Sequence, residues 1–437
     1  MKGKGVKLAL LALSAAVLVF CVFALSSGFA NEISHVHGFR QAQTLVAIRQ
    51  MLSGGPWVFY ELPVMGEPIR LPHEFPLFDW LVIALARFGG GSPLVCARII
   101  SLIFWIGTIP VSVQILRIAG ASRITRLVFL LLYLNCPLYQ HWSHAAMGET
   151  MVLFFTLSLI LCASISKERN SLPIQAVGLV SGILAGMAKS LILFSYALPL
   201  AWILLNGGRM RRNHRSVILF FVAPIFAAVS WTLLADQWKN KNLIAAKVLA
   251  SKPLLLWMMG SLEEKLSFPV WHGIWERAFT DALGSPWLLI GITALTLIQR
   301  NRPAAFLILC GLLPVTILSS IYSTHYYYAC AVTIEWIAAA AFVLGSLLQK
   351  SSPRNVLGFA LLLLILCFQS SRFLSFYYPL QTIPNQTAAD YGRVVREVTK
   401  NDEVPIVYGW SYSPETTYFS GRETITNPES KIGRAHV

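Results

Sequence analysis

The sequence predicts an all-α membrane protein, a polytopic helical bundle of about eleven transmembrane helices with interfacial helices on its outer face. Composition is the first reason. Of the 437 residues, 56% are hydrophobic and 13% charged, against roughly 45–50% and 25% in a soluble domain; the mean hydropathy is +0.62. The second reason is distribution: apolar runs approaching the ~20 residues of a spanning helix recur along the chain. The third is charge. The formal net charge is +15, yet the basic residues fall in short loops between apolar runs, as lysine and arginine do on the cytoplasmic side of a membrane.

Taken in order, spans are expected near 6–27, 95–117, 126–143, 150–166, 174–188, 190–206, 216–236, 285–299, 303–322, 328–348 and 355–370. With the N-terminus in the cytoplasm, the inner segments hold Lys2, Lys4 and Lys7; Arg117, Arg123 and Arg126; Lys167 and Arg169; Arg209, Arg211, Arg212 and Arg215; Arg300 and Arg302; and Lys350 and Arg354, opposed only by Glu168. Eleven spans keep this asymmetry at every turn and place the C-terminus outside.

Three long segments then face outward. The first, 28–93, contains two amphipathic stretches, Arg40–Leu52 and Leu77–Phe88. Both are expected to lie on the outer leaflet; the second is too short to span comfortably, and its Trp80 and Arg87 suit a headgroup layer. Reading it as a span would invert every later loop. The second segment, 237–285, is rich in Trp and Lys and reads as another interfacial layer. The third, 371–431, is more polar, has a strand-like run at Val404–Tyr408, and reads as the truncated start of a small soluble domain. Residues 1–370 thus form the membrane domain. The last six residues, 432–437, resemble a translated sequencing adapter and are set aside as a scar, with the natural chain expected to continue.

Some classes are excluded. No continuous basic stripe with interleaved aromatics supports nucleic-acid binding. The seven cysteines lie in or beside apolar spans without C-x-x-C spacing, so they read as packing residues. The apolar run Leu8–Leu25 is longer than a signal-peptide core and reads as an uncleaved first span.

The first outer segment is dense in polar groups: His35, His37, Arg40, Gln41, Gln43, Glu61, Glu67, Arg70, His73, Glu74 and Asp79. Long connections of this kind tend to be functional. Three stretches carry a resemblance: His35-Val-His-Gly-Phe-Arg-Gln-Ala-Gln-Thr44, Tyr60-Glu-Leu-Pro-Val-Met-Gly-Glu-Pro68 and Pro72-His-Glu-Phe-Pro-Leu-Phe-Asp-Trp-Leu-Val82. It continues in Ala97-Arg-Ile-Ile-Ser-Leu102, Met147-Gly-Glu-Thr150 and Gly186-Met-Ala-Lys189. The ordered set resembles the RgtA/B/C/D-like glycosyltransferases of the GT-C superfamily, which are similar to aminoarabinose and protein-mannosyl transferases. The resemblance covers the N-terminal half well and the C-terminal half in outline.

The resemblance implies a GT-C-like bundle in a bacterial inner membrane. It implies a polyprenyl-phosphate sugar donor, a site at the outer surface, and transfer to a glycan, lipid or protein acceptor such as lipopolysaccharide. The chemistry agrees. The donor's tail stays in the bilayer, the acceptor hydroxyl needs a base, and the leaving phosphate needs cations. Glu74 matches the acid of the family's Glu-Phe-Pro-Leu motif and is the first candidate base; the alternative is a structural carboxylate paired with Arg70 or Arg40. Many relatives carry an aspartate earlier in the loop, where His37 and Gln43 stand here, which leaves Glu74, or else Glu32 or Glu61. Glu149 matches an acid near that loop. It is a candidate to orient the acceptor or, with Glu74 and a histidine, to bind Mg²⁺ or Mn²⁺; the alternative is a solvated Glu at a helix N-terminus.

Lys189 and Arg40 are candidate phosphate contacts, against snorkelling and a loop salt bridge respectively. His37, Gln41, Gln43, His73 and His325 complete the candidate substrate-binding set; the tyrosines beside His325 suit an interfacial belt. Asp79 and Glu335 read as structural. Competing functions are a lipid-linked glycan flippase, an O-antigen polymerase or ligase, and an inactive scaffold. A flippase predicts midplane charges and repeated halves, whereas this sequence concentrates its polar groups in one outer loop and shows no repeat.

Overall fold

The computed structural model describes residues 3–33, 37–167, 169, 171–205, 214–350, 353–383, 385–407 and 413–426. Lys2, His35, Glu168, Arg209, Arg211, Arg212, Tyr408 and the segment 432–437 lie outside the described residues. The chain is an all-α bundle. Its first half comprises α1 (Gly3–Ser26), α2 (Gly38–Leu52), α3 (Leu77–Gly89), α4 (Pro93–Ile118), α5 (Arg123–Asn135), α6 (Pro137–Trp142), α7 (Glu149–Ser166) and α8 (Leu172–Ser195).

Local chemistry sets the boundaries. Ser92 and Ser122 cap α4 and α5, accepting from Val95 N and Thr125 N, which satisfies amides that have no intrahelical partner. Pro137 separates α5 from α6 because it lacks an N–H and cannot continue the ladder. At the end of α3, Gly90 takes φ +69°, a left-handed conformation that a glycine adopts without penalty. Within α8 the backbone leaves helical geometry at Lys189 (φ −159°, ψ 85°). The run is therefore two helices meeting at Lys189, where the expected spans 174–188 and 190–206 adjoin.

Among the described residues, eight stretches are long and apolar enough to cross a membrane, or nine if the bent pair Phe268–Leu283 and Pro286–Gln299 (70°) counts as one. The protein is multi-pass. The difference from eleven has identifiable sources. The stretch 126–143 is broken at Pro137, and 303–322 contains only a 16-residue helix, Arg302–Ile317, before a second short one. Leu243–Leu266 qualifies by length and hydropathy, yet it is divided into Leu243–Val248, Ser251–Met259 and Leu262–Leu266. Such short charged pieces suit the interfacial layer expected for 237–285 better than a crossing helix.

Tyr326–Leu348 is almost wholly buried and runs through the centre of the bundle. It packs against Arg302–Ile317, α5, Arg354–Arg372 and Pro286–Gln299. Trp105, Tyr133, Tyr139, Trp142 and Trp336 are fully buried. Six of the cysteines are buried, Cys367 is exposed, and all are free. The C-terminal segment does contain strands: β1 (Ile406–Val407) pairs parallel with β2 (Ile425–Thr426). This segment lies over loop 53–76. Thr424 N and Thr426 N donate to Pro63 O and Val64 O at 3.1 and 2.9 Å.

Candidate active site

Loop 53–76 holds Glu74 at a fixed height. On one side the His73 amide donates to the Tyr60 hydroxyl at 2.8 Å. On the other the Phe75 amide donates to Met187 O at 3.2 Å. That carbonyl precedes the break in α8, where the last turn lacks intrahelical donors. Loop 53–76 therefore docks on the junction that carries Lys189. Gly186 allows the junction to form close to its neighbour, since a Cβ there would meet Pro224 O at 2.7 Å.

Four charges converge at this point. Arg40, in the first turn of α2, hydrogen-bonds Glu74 through one guanidinium nitrogen and Gln43 Oε1 through another at 2.6 Å. Lys189 Nζ lies 3.2 Å from Glu74 Oε1 and hydrogen-bonds Glu149, the first residue of α7. Lys189 also faces the rings of Tyr327 and Tyr328, 5.0 and 5.3 Å from their centroids, a cation–π arrangement. The side chains of Lys189 and Glu149 are 5% and 2% exposed, whereas Glu74 keeps 35%. Glu74 is the most accessible member of a largely buried ion cluster. Burial pushes its carboxyl up, but the adjacent Arg40 and Lys189 outweigh this and hold it below the usual range.

Behind Glu74 is a chamber of about 30 Å³, room for a water molecule. Arg40, Gln43, Tyr60, Glu74 and Asp79 are among its lining residues. Burial, reinforced by the charge of Glu74, raises the Asp79 carboxyl well above its ordinary value. Beside the cluster is an aromatic wall. The His37 ring stacks on His325 at 5.1 Å and 15° and meets the edge of Tyr327 at 5.0 Å. His37 has φ +48°, uncommon for a non-glycine residue, and its Nε2 accepts from Tyr326 N at 3.3 Å. Burial and neighbouring cations push His37 down to about 3 and His325 to about 4, so both rings are neutral.

The Lys189 ammonium already stands between Glu74 and Glu149. Among the described residues no group of three His, Cys, Asp or Glu side chains is arranged to hold a metal.

Residues 9–237, more than half of the chain, match the sequence profile of the dolichyl-phosphate-mannose-protein mannosyltransferase family. The chain belongs to this family. It is thus a membrane glycosyltransferase of the GT-C type, and the solved structures it resembles share that fold. ArnT from Cupriavidus metallidurans, bound to undecaprenyl phosphate, aligns with TM-score 0.58 at 14% identity over 97% of this chain and 87% of that one. AglB from Archaeoglobus fulgidus, in complex with an inhibitory peptide and a dolichol-phosphate, aligns with TM-score 0.58 at 11% identity over 97% and 65%. The arabinofuranosyltransferase AftD from Mycobacteria aligns with TM-score 0.52 at 16% identity over 96% and 31%. No curated protein matches in sequence.

Within this mannosyltransferase-family chain, the structure brings together Arg40, Gln43, Glu74, Glu149 and Lys189, with His37 and His325 alongside. Others fall elsewhere. Gln41 is buried and accepts from Ala146 N at 3.2 Å, tying α2 to the turn before α7. His73 contributes backbone contacts, its carbonyl accepting from Trp231 at 3.2 Å. Glu61 pairs with Arg70 at 3.5 Å, and Glu32 accepts from Tyr418 at 3.1 Å. Neither joins Glu74. The partner of Glu74 is Arg40 rather than Arg70, a pairing that the structural reading of this carboxylate also includes, and Glu149 is buried rather than solvated at its helix N-terminus. Sequence reasoning took Asp79 for a structural acid and Tyr327 and Tyr328 for an interfacial belt. Their closeness to Lys189 and Glu74 arises only from chain folding.

Proposed function

We propose that this protein transfers a glycosyl group from a polyprenyl-phosphate donor to a cell-envelope acceptor, with inversion, at the outer face of a bacterial inner membrane. One observation carries the reading: Arg40 and Lys189 converge on a single oxygen of Glu74, whose side chain is 35% exposed. Two cations at one accessible point suit a phosphate, and Arg40 offers a planar fork for its oxygens. The lipid phosphates bound by ArnT and AglB support this choice of donor.

In the reaction the acceptor oxygen bonds to the anomeric carbon while the bond from that carbon to the phosphate oxygen breaks. The electron pair stays on the phosphate, beside Arg40 and Lys189, and the hydroxyl proton passes to Glu74. As the phosphate gains a negative charge, Glu74 loses one. The net charge of the site is unchanged, which keeps the cost of charge development low. Glu149 holds Lys189 in place, and the neutral His37 and His325 rings offer the sugar a flat wall. The orientation rests on the bundle: α7 starts at the site with Glu149 and ends about 27 Å away beside Lys167, on the basic side.

The test is a mass-spectrometric comparison of envelope glycans in a deletion strain complemented with wild type or Glu74→Gln. Restoration of one sugar by wild type alone supports the reading and names the sugar. Restoration by both removes Glu74 as the base. A deletion that changes no glycan favours a flippase or an inactive scaffold.

A further inference from the structure

The two cations assigned to the donor's phosphate are already occupied, and by a carboxylate rather than a solvent ion. Arg40 and Lys189 both engage Glu74 Oε1. The cluster Arg40, Lys189, Glu74 and Glu149 sums to zero charge, so adding an anionic phosphate while all four stay in place leaves an excess negative charge in a largely desolvated site. One of the two carboxylates has to give way. Glu149 is 2% exposed at the start of α7, and its Oε2 has no hydrogen-bond partner in the structure. Its ion-pair partner is Lys189, and its side chain is almost wholly enclosed. Glu74 is 35% exposed, sits on a loop, and borders the chamber.

We propose that Glu74 is an internal stand-in for the donor phosphate: in the ligand-free protein it occupies the phosphate position, and the lipid phosphate binds by displacing it from Arg40 and Lys189 while Glu149 stays paired. This rests on the transferase reading and adds a binding order to it. The same displacement turns Glu74 into a competent base. While the cations hold it, its proton affinity is suppressed; once the phosphate takes them, that affinity rises. Glu74 then accepts a proton only when a donor is in place, and the donor binds before the acceptor is activated.

The experiment measures undecaprenyl phosphate binding to full-length, detergent-purified protein by native mass spectrometry, with undecaprenol as the uncharged control. Glu74→Gln removes the competing anion, so binding tightens by roughly three- to tenfold, as for loss of one partly exposed competing ion pair. Glu74→Ala does the same, and Arg40→Gln weakens binding at least tenfold. Thermal melting of each variant confirms that it is folded. If both Glu74 variants are folded and bind more weakly than wild type, Glu74 organises the cations rather than competing for them, and the displacement proposal fails while the transferase reading stands. If wild type binds undecaprenyl phosphate no better than undecaprenol, the donor assignment itself fails, and this proposal with it.

Discussion

Replacing Lys189 by methionine tests the ion cluster directly. Lys189 and Glu149 have side chains 5% and 2% exposed. Loss of the ammonium leaves Glu149 as a buried carboxylate whose Oε2 already lacks a partner. Breaking a buried pair on one side costs about 3–5 kcal/mol, and Lys189→Met is expected in that range. The reverse change is milder. In Glu149→Leu the ammonium keeps Glu74 at 3.2 Å and the faces of Tyr327 and Tyr328, so the cost is about 1–3 kcal/mol. The double variant removes both charges, and apolar replacement of a buried pair is often neutral. Its stability is therefore expected near wild type, with a coupling of about 4 kcal/mol or more, the sum of the two single costs. The assay is thermal and denaturant unfolding of the purified protein, with glycan transfer measured alongside. Single-variant costs that add within about 0.5 kcal/mol would refute the pairing. A Lys189→Met variant as stable as wild type would show that Glu149 is not buried as described.

Three further outcomes follow from the same geometry. Asp79 has a raised folded pKa, so the stability linked to it is full below the ordinary value near ~3.9 and falls as pH rises through the raised one. Asp79→Asn should therefore gain on the order of 1 kcal/mol over wild type, the gain appearing between acid and neutral pH; a gain equal at pH 4 and pH 8 would contradict this. Because Lys189 already stands between the two carboxylates, transfer should survive EDTA, and a loss restored by Mg²⁺ or Mn²⁺ would place a metal in the reaction. Gly186→Ala drives a Cβ to 2.7 Å from Pro224 O and should cost roughly 1–3 kcal/mol and reduce transfer by shifting Lys189; Gly291→Ala, with no atom within 4 Å of its new Cβ, is the silent control.

Much of the fold was legible because lipid imposes a simple code. Apolar length and the basic loops gave the bundle, and a lone Lys189 between two apolar runs correctly marked a junction. The span count was harder: Pro137 and the pieces within Leu243–Leu266 interrupt runs whose average hydropathy is high, and an average does not record a break. The site was legible one residue at a time. Glu74, Arg40, Glu149 and Lys189 were each candidates, but the sequence offered Arg70 as readily as Arg40 for Glu74. Choosing between them takes the loop's anchors, Tyr60 beneath His73 and Met187 O beneath Phe75, which are long-range contacts. That Asp79 lines the same chamber as Glu74 was not legible, because nothing in its own neighbourhood of sequence shows it.

The structure also bears on whether this is an active enzyme or an inactive scaffold. The loop lacks the early aspartate of many relatives, and two neutral groups take its place: His37 stacks on His325, and Gln43 holds Arg40. The negative charge has not left the site; it stands on Glu74, opposite them. Stability alone does not require this. Four charges gathered in a bundle are generally no more stable than apolar side chains of similar volume, and a scaffold needs none of them accessible. Here the most exposed member is a carboxylate held by two cations, where a phosphate and a hydroxyl can exchange for it. A Lys189→Met/Glu149→Leu double variant that folds as well as wild type and transfers nothing would separate the two roles, assigning the charges to chemistry and the fold to everything around them.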